Sequence, residues 1–235
     1  MTGRPRSSLA AAALVFLLAS GTEGLGEENP AEEKETAREV LSRLDRRLGG
    51  ISSMQGRFVQ TFISAGLSVP QSEGGRFYLM RPGRMRWEYT SPEPKTAVSD
   101  GTFTWLYLPE EGVVYRGTVE AWKREGPFAI LAGGALGEVF EAEGIDAVSA
   151  SRRGAVVLKM RPKRPAEAFE FLLVEIDPST LSIFAVTAVD GMGNRIAAAF
   201  SDVKVNDRLR ADLFTFTPPK GARVIDQDAA APRRP

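Results

Sequence analysis

The chain has 235 residues, 43% hydrophobic and 26% charged, with 13 Phe, 4 Tyr and 3 Trp; this is too aromatic for a disordered or collagenous chain and suits one large domain or two small ones. Lys plus Arg number 30, as do Asp plus Glu, so the charge balance gives no footprint for a nucleic-acid partner. The absence of both cysteine and histidine excludes disulfides, thiolate chemistry, lipidation through Cys, Ser–His–Asp and Cys–His catalysis and the usual zinc ligands.

The chain opens Met1-Thr2-Gly3-Arg4-Pro5-Arg6, runs apolar from Leu9 to Ala19 and continues with small residues to Gly21. A basic start, a short apolar run and small residues predict a cleavable secretory signal over residues 1–21, with cleavage between 19 and 26. The run falls well short of the about 20 residues that span a bilayer. The exported protein is expected to be soluble and slightly acidic. Residues 22–34 are acidic and aperiodic and predict a disordered lead. A single domain is expected over 35–226, followed by a polar, proline-ended tail over 227–235.

Within that domain Ala37, Val40, Leu41, Leu44 and Leu48 recur at spacings of three and four, predicting an amphipathic helix over 35–48 that Gly49-Gly50 stops. The period then becomes two. Phe58, Gln60 and Phe62 alternate with Val59, Thr61 and Ile63; Phe77 and Leu79 oppose Tyr78 and Met80; Met85, Trp87 and Tyr89 oppose charge; Phe103, Trp105 and Tyr107 form another stripe. Val156, Leu158 and Met160, then Phe169, Phe171 and Leu173, then Phe184, Val186 and Ala188, then Ile196, Ala198 and Phe200 continue it. Turn signals at Arg81-Pro82-Gly83, Asp100-Gly101, Asp177-Pro178-Ser179 and Asp190–Gly193 separate the runs. With Ala97-Val98, Val113–Tyr115 and Ile145–Ser149 these predict about eleven short, mostly antiparallel strands.

Residues 119–140 lose the period of two and read as short helical pieces broken at Gly126-Pro127 and Gly133-Gly134. A sheet this long curls, and two helical pieces laid on its concave side would enclose a cavity. No phosphate loop, metal spacing or nucleophile elbow appears. Asp190-Gly191-Met192-Gly193-Asn194 joins two strands and reads as a hairpin turn.

The arginine-proline turn at Arg81-Pro82, the strand containing Trp87, the Val98-Ser99-Asp100-Gly101 turn, the aromatic strand around Trp105 and the C-terminal strand Phe214-Thr215-Phe216-Thr217-Pro218-Pro219-Lys220-Gly221 form an ordered set. That set resembles the outer-membrane lipoprotein carrier (LolA) family over Leu41–Ala132 and Glu167–Gln227; residues 133–166 depart from it. The resemblance implies a mostly β fold with a few helices, an unclosed antiparallel half-barrel of about eleven strands under a helical lid, with a hydrophobic cavity between. It implies a monomeric periplasmic chaperone of outer-membrane biogenesis, without enzymatic activity, cofactor or metal. Such a carrier takes acylated lipoproteins from an inner-membrane ABC transporter and passes them to an outer-membrane acceptor. It further implies that Arg81 is a latch holding the lid over the empty cavity, a task its five donors suit. Met85 stands where the family has an aromatic or aliphatic residue. Candidates for the acyl-chain wall are Phe77, Leu79, Met85, Trp87, Tyr89, Phe103 and Trp105, with the concave face of the sheet left open; lid candidates are Trp122, Phe128, Ile130 and Leu131. The alternative readings are a lipid- or lipoprotein-sensing regulatory domain on the same half-barrel, which usually carries a second domain, and an enzyme of carboxylate type.

Overall fold

The computed structural model describes residues 30–66, 69–119, 135–146, 149–164 and 169–227. Helix α1 (Pro30–Gly49) leads into β1 (Ser53–Ile63), β2 (Gln71–Met80), β3 (Arg84–Ser91), β4 (Lys95–Asp100), β5 (Phe103–Leu108) and β6 (Val113–Thr118). A single helical turn, α2 (Leu136–Val139), precedes β7 (Phe140–Asp146), β8 (Val156–Pro162), β9 (Phe171–Ile176), β10 (Ile183–Val189) and β11 (Arg195–Val205). A 3-10 turn (Ala211–Phe214) and β12 (Arg223–Asp226) close the described chain.

All twelve strands join one sheet in the order β12-β6-β5-β4-β3-β2-β1-β11-β10-β9-β8-β7. Its edges, β12 and β7, do not meet, so the half-barrel is unclosed. Every neighbour pair but two joins strands consecutive in the chain, and all of those are antiparallel. Strands β1 and β11 pair antiparallel across most of the chain, and β12 returns to lie parallel to β6.

The helix follows its sequence pattern: Ala37, Val40, Leu41, Leu44 and Leu48 are all buried in the main core. It starts at Pro30, five residues ahead of the predicted start, so the end of the acidic lead is helical. Its last turn carries Arg46 and Arg47, cations well placed against the negative end of the helix dipole. The Asp45 carboxylate accepts from the Leu136 and Gly137 N–H groups at 2.5 and 2.8 Å, tying α1 to α2 through orphan donors of the short helix.

The sequence pattern and the sheet differ in three places. The twelfth strand, β12, is a four-residue parallel addition too short to show a period. The Phe214–Gly221 stretch is a 3-10 turn and irregular chain rather than a strand. Strand β7 begins at Phe140 and ends at Asp146, not Ile145–Ser149, because the period of two resumes while the apolar run of the preceding segment is still in progress. The expected signal, residues 22–29 of the lead, the 228–235 part of the tail and the lid candidates Trp122, Phe128, Ile130 and Leu131 lie outside the described residues.

Candidate functional site

Register decides which side chains share a face, because neighbours along a strand point to opposite sides. Pairing sets Phe58 opposite Gly75 and Gly56 opposite Phe77, Phe77 opposite Trp87, Trp87 opposite Ala97 and Phe58 opposite Phe200. Phe58, Phe77, Leu79, Met85, Trp87 and Phe200 therefore share the face on which α1 lies, and all are buried in the main core. Trp87 is stacked on Phe77 (centroids 5.4 Å apart, planes at 26°) and meets Phe58 edge-on at 4.7 Å. Phe77 meets Phe200 edge-on at 5.3 Å. Such aromatic pairs add to the stabilisation from buried area. The wall continues across β8, β9 and β10 through Leu158, Met160, Leu172, Val174 and Val186.

Tyr89 is on the same face at its upper edge, half-buried, with its hydroxyl donating to Gln60 Oε1 at 3.1 Å. Burial, and to a lesser extent the Glu73 carboxylate, pushes its phenol above the ordinary tyrosine range. Glu73 is itself paired with Lys95 at 2.6 Å, and Lys95 also sits over the Tyr89 ring at 4.3 Å. Below the aromatic cluster a cavity of about 290 Å³ opens between the end of α1 and β1, β10 and β11, lined by Leu48, Ile51, Met54, Ile183, Phe200 and Val205 among others.

Two strands' width on the inner face is made possible by glycine. A Cβ on Gly75 would lie 1.9 Å from the Glu88 carbonyl oxygen, so β2 and β3 can approach at their bulge only with no side chain there.

Phe103 and Trp105 belong to the other face. Trp105 pairs with Val98, which alternates with the inner-facing Ala97, so both aromatics point away from α1. There they meet the C-terminal segment: Trp105 and Tyr107 lie 6.2 and 6.1 Å from Phe216, and the Arg116 guanidinium sits 4.2 Å over Phe103. Phe214, Val98 and Val114 are buried beneath that segment, and Arg86 donates to the Leu213 carbonyl at 3.2 Å. The sequence grouped Phe103 and Trp105 with Trp87 because a period of two does not say which face is covered by what.

Arg81 stands in the turn between β2 and β3. Its peptide N–H donates to the Ser52 carbonyl at 2.9 Å, and its side chain is half-buried with no hydrogen bond to another described residue. The turn is held by the Val98–Gly101 segment: the buried Ser99 hydroxyl donates to the Gly83 carbonyl at 2.9 Å and accepts from the Gly101 N–H at 3.1 Å. The Asp100 carboxylate caps the Thr102 and Phe103 N–H groups at 2.7 and 2.8 Å. Gly83 and Gly101 have φ of 64° and 103°, and a Cβ on Gly101 would come within 3.2 Å of the Pro82 carbonyl. The two turn motifs thus interlock, and Arg81 is presented from a fixed platform.

Among the described residues no three potential metal ligands come together, and no helix is long and apolar enough to cross a membrane. The arrangement offers an apolar wall, with Tyr89 and Gln60 at one edge and Arg47, Arg152 and Asp202 among the residues lining the cavity at the other.

The family model described as outer membrane lipoprotein carrier protein LolA matches residues 49–217. The outer-membrane lipoprotein carrier protein of Methylibium petroleiphilum is 33% identical over 189 residues, covering 80% of this chain and 90% of that one. The protein of the same name from Chromohalobacter salexigens is 32% identical, covering 78% and 85%. Among solved structures, an uncharacterized conserved protein from Thermus thermophilus superposes with a TM-score of 0.51 at 17% identity, covering 82% of this chain and 99% of that one, a likeness of fold. The matched stretch contains the arginine-proline turn, the Trp87 strand, the interlocked Val98–Gly101 turn and the segment covering the outer face. The chain belongs to the outer-membrane lipoprotein carrier family.

Proposed function

We propose that the protein is a periplasmic carrier that shelters the acyl chains of lipoproteins between the inner and outer membranes. The observation that carries this is the continuous inner-face wall from Trp87 through Phe58 and Phe200 to Leu158 and Leu172. At about 0.8 kcal/mol per methylene, exposing three chains of about fifteen carbons to water costs roughly 36 kcal/mol. A lipoprotein therefore crosses an aqueous compartment only inside such a shelter.

The side chains of the wall pack on one another. Phe77, Met85 and Trp87 are no more than 1% exposed. Loading three chains therefore means parting apolar surfaces that are already in contact. This cost makes loading an energy-requiring step, supplied by a lipoprotein-releasing ABC transporter, and makes release to an acceptor downhill. Arg81, held on its interlocked turns, serves as the latch favouring the closed form, with 119–140 as the lid. Phe77, Leu79, Met85, Trp87 and Tyr89 form part of the acyl-chain wall; Phe103 and Trp105 do not.

The test adds the protein to vesicles containing the transporter, ATP and a lipoprotein. The expected product is a soluble one-to-one complex formed with the acylated lipoprotein and not with its unacylated form, since apolar burial supplies the binding energy. Uptake of unacylated cargo without ATP would overturn the reading.

A further inference from the structure

Eight large apolar side chains are exposed among the described residues, and four of them, Phe62, Ile63, Val69 and Met192, gather at one end of the sheet. Phe62 and Ile63 end β1, and Val69 stands in the loop to β2. Met192 is the centre of the β10–β11 turn, and Val69 and Met192 are 77% and 78% exposed. The two tips touch: the Ala65 N–H donates to Asn194 Oδ1 at 3.0 Å. Ile63 pairs with Arg195 and Phe62 with Ile196 in the ladder behind them.

The chemistry of these tips is unusual for solvent-facing turns. Residues Ser64 to Pro70 contain no charge. The one carboxylate of the other tip, Asp190, is taken up inside the turn by the Met192 and Asn194 N–H groups, both at 2.9 Å, and by the Asn194 side chain at 2.7 Å. The Asp190 and Gly193 N–H groups are bonded within the turn as well, to the Asn194 and Asp190 carbonyls. In the β10–β11 turn the N–H groups of Asp190, Met192, Gly193 and Asn194 are thus all bonded within the turn, which lowers the cost of withdrawing it from water. Exposed cations stand at the same end: Arg195 at the start of β11, and, just beyond β8, Arg164 and Lys163, whose ammonium also donates to the Gly137 carbonyl; the Glu170 carboxylate at this end is paired with Arg161.

We propose that the paired β1–β2 and β10–β11 tips are a membrane-docking element that seats Val69 and Met192 in the interfacial layer of an anionic bilayer. Apolar side chains enter the layer while Arg195, Lys163 and Arg164 meet lipid phosphates around it. The proposal does not depend on the carrier reading, since it uses none of the inner-face wall.

The test is co-sedimentation of the protein with vesicles of phosphatidylglycerol and phosphatidylethanolamine, alongside vesicles of phosphatidylcholine alone. Binding is expected to the anionic vesicles and to weaken as salt is raised. The combined Val69→Asp and Met192→Asp variant is expected to lose about tenfold or more in partitioning, and Arg195→Glu is expected to weaken binding to anionic vesicles alone. The variants share every other residue, so the apolar stretch near the N-terminus contributes equally to each. The cysteine-free chain also allows one environment-sensitive dye to be placed at will. On Met192→Cys its emission should shift to the blue with anionic vesicles, and on Thr180→Cys, in the turn at the other end of β10, it should not. Absence of vesicle binding, equal binding by the combined variant, or equal shifts at both dye positions would overturn the proposal; the first would assign the tips to a protein partner.

Discussion

The two faces of β3–β5 carry comparable aromatic stripes and bury them in different ways. On the inner face Trp87 is enclosed by Phe58 and Phe77 in the main core, next to the apolar wall of β8–β11. On the outer face Trp105 and Tyr107 are only half-buried and lean on Phe216, while Phe214 is driven beneath the segment and Arg86 holds its backbone. The C-terminal segment thus belongs to the back of the sheet. One motif of the family builds the inner wall, and another packs against the reverse side of the same strands. Perturbing the first should alter both stability and ligand binding; perturbing the second should alter stability alone.

Trp87→Glu tests the first half and should have the largest effect. It removes a side chain that is 1% exposed and puts a carboxylate among aromatic rings. Large-to-small changes of buried aromatics cost about 3–5 kcal/mol, and a buried unpaired charge adds to that. Urea unfolding should show a loss at or above that range, with binding of an apolar dye abolished. Trp105→Glu, on the half-buried outer face, should cost clearly less and leave dye binding in place. Equal losses for the two would show that the faces are energetically equivalent.

Phe214→Ala tests the second half. Its side chain is 1% exposed but lies outside the inner cluster, so a loss of about 3 kcal/mol is expected with dye affinity unchanged in the folded fraction. A parallel fall in dye affinity would mean that the back cover shapes the inner wall.

A smaller effect separates the wall from its polar edge. Tyr89→Phe removes the hydroxyl bonded to Gln60 and should cost about 1 kcal/mol. The folded-state pKa of this phenol is raised above its unfolded value of 10.0, by burial first and Glu73 second. Its contribution is therefore fully present below about pH 10 and is lost as pH rises beyond it. The wild type should lose stability through that alkaline window by more than Tyr89→Phe does, as thermal melts at several pH values would show.

Much of this was legible in the sequence. The α1 stripe, the Phe77–Leu79 and Met85–Trp87–Tyr89 stripes and the hairpin turns follow from periodicity, because each element buries a single face. Two things were not. Phe103 and Trp105 have the same period as Trp87, and only the register, together with a segment more than a hundred residues away, assigns them to the back. The reason for Ser99 was equally hidden: its hydroxyl bonds the carbonyl of Gly83, and a local reading of Ser-Asp-Gly gives only a turn. Phe58 and Phe200 were visible as members of alternating runs, yet their meeting depends on the long-range β1–β11 pairing, which no local signal announces.

Arg81 offers the sharpest separation of stability from function. Its side chain makes no hydrogen bond to another described residue, and the turn that presents it is held by Ser99, Gly83 and Gly101. Arg81→Leu should therefore change unfolding free energy by no more than about 0.5 kcal/mol, the usual range for substitutions away from packed or bonded positions. If Arg81 is the latch, the same variant should still load acylated lipoprotein from transporter vesicles but hand it to an acceptor poorly. Removing donors that favour the closed, empty state takes away part of the free-energy difference that drives release. Loading and hand-over should be measured on one preparation, with Ser99→Ala beside it. Losing the Ser99 hydroxyl loosens the platform while leaving the guanidinium, so that variant should lose about 1 kcal/mol or more of stability and show only a partial defect in hand-over. Normal hand-over by Arg81→Leu would make Arg81 a turn residue with no part in cargo release.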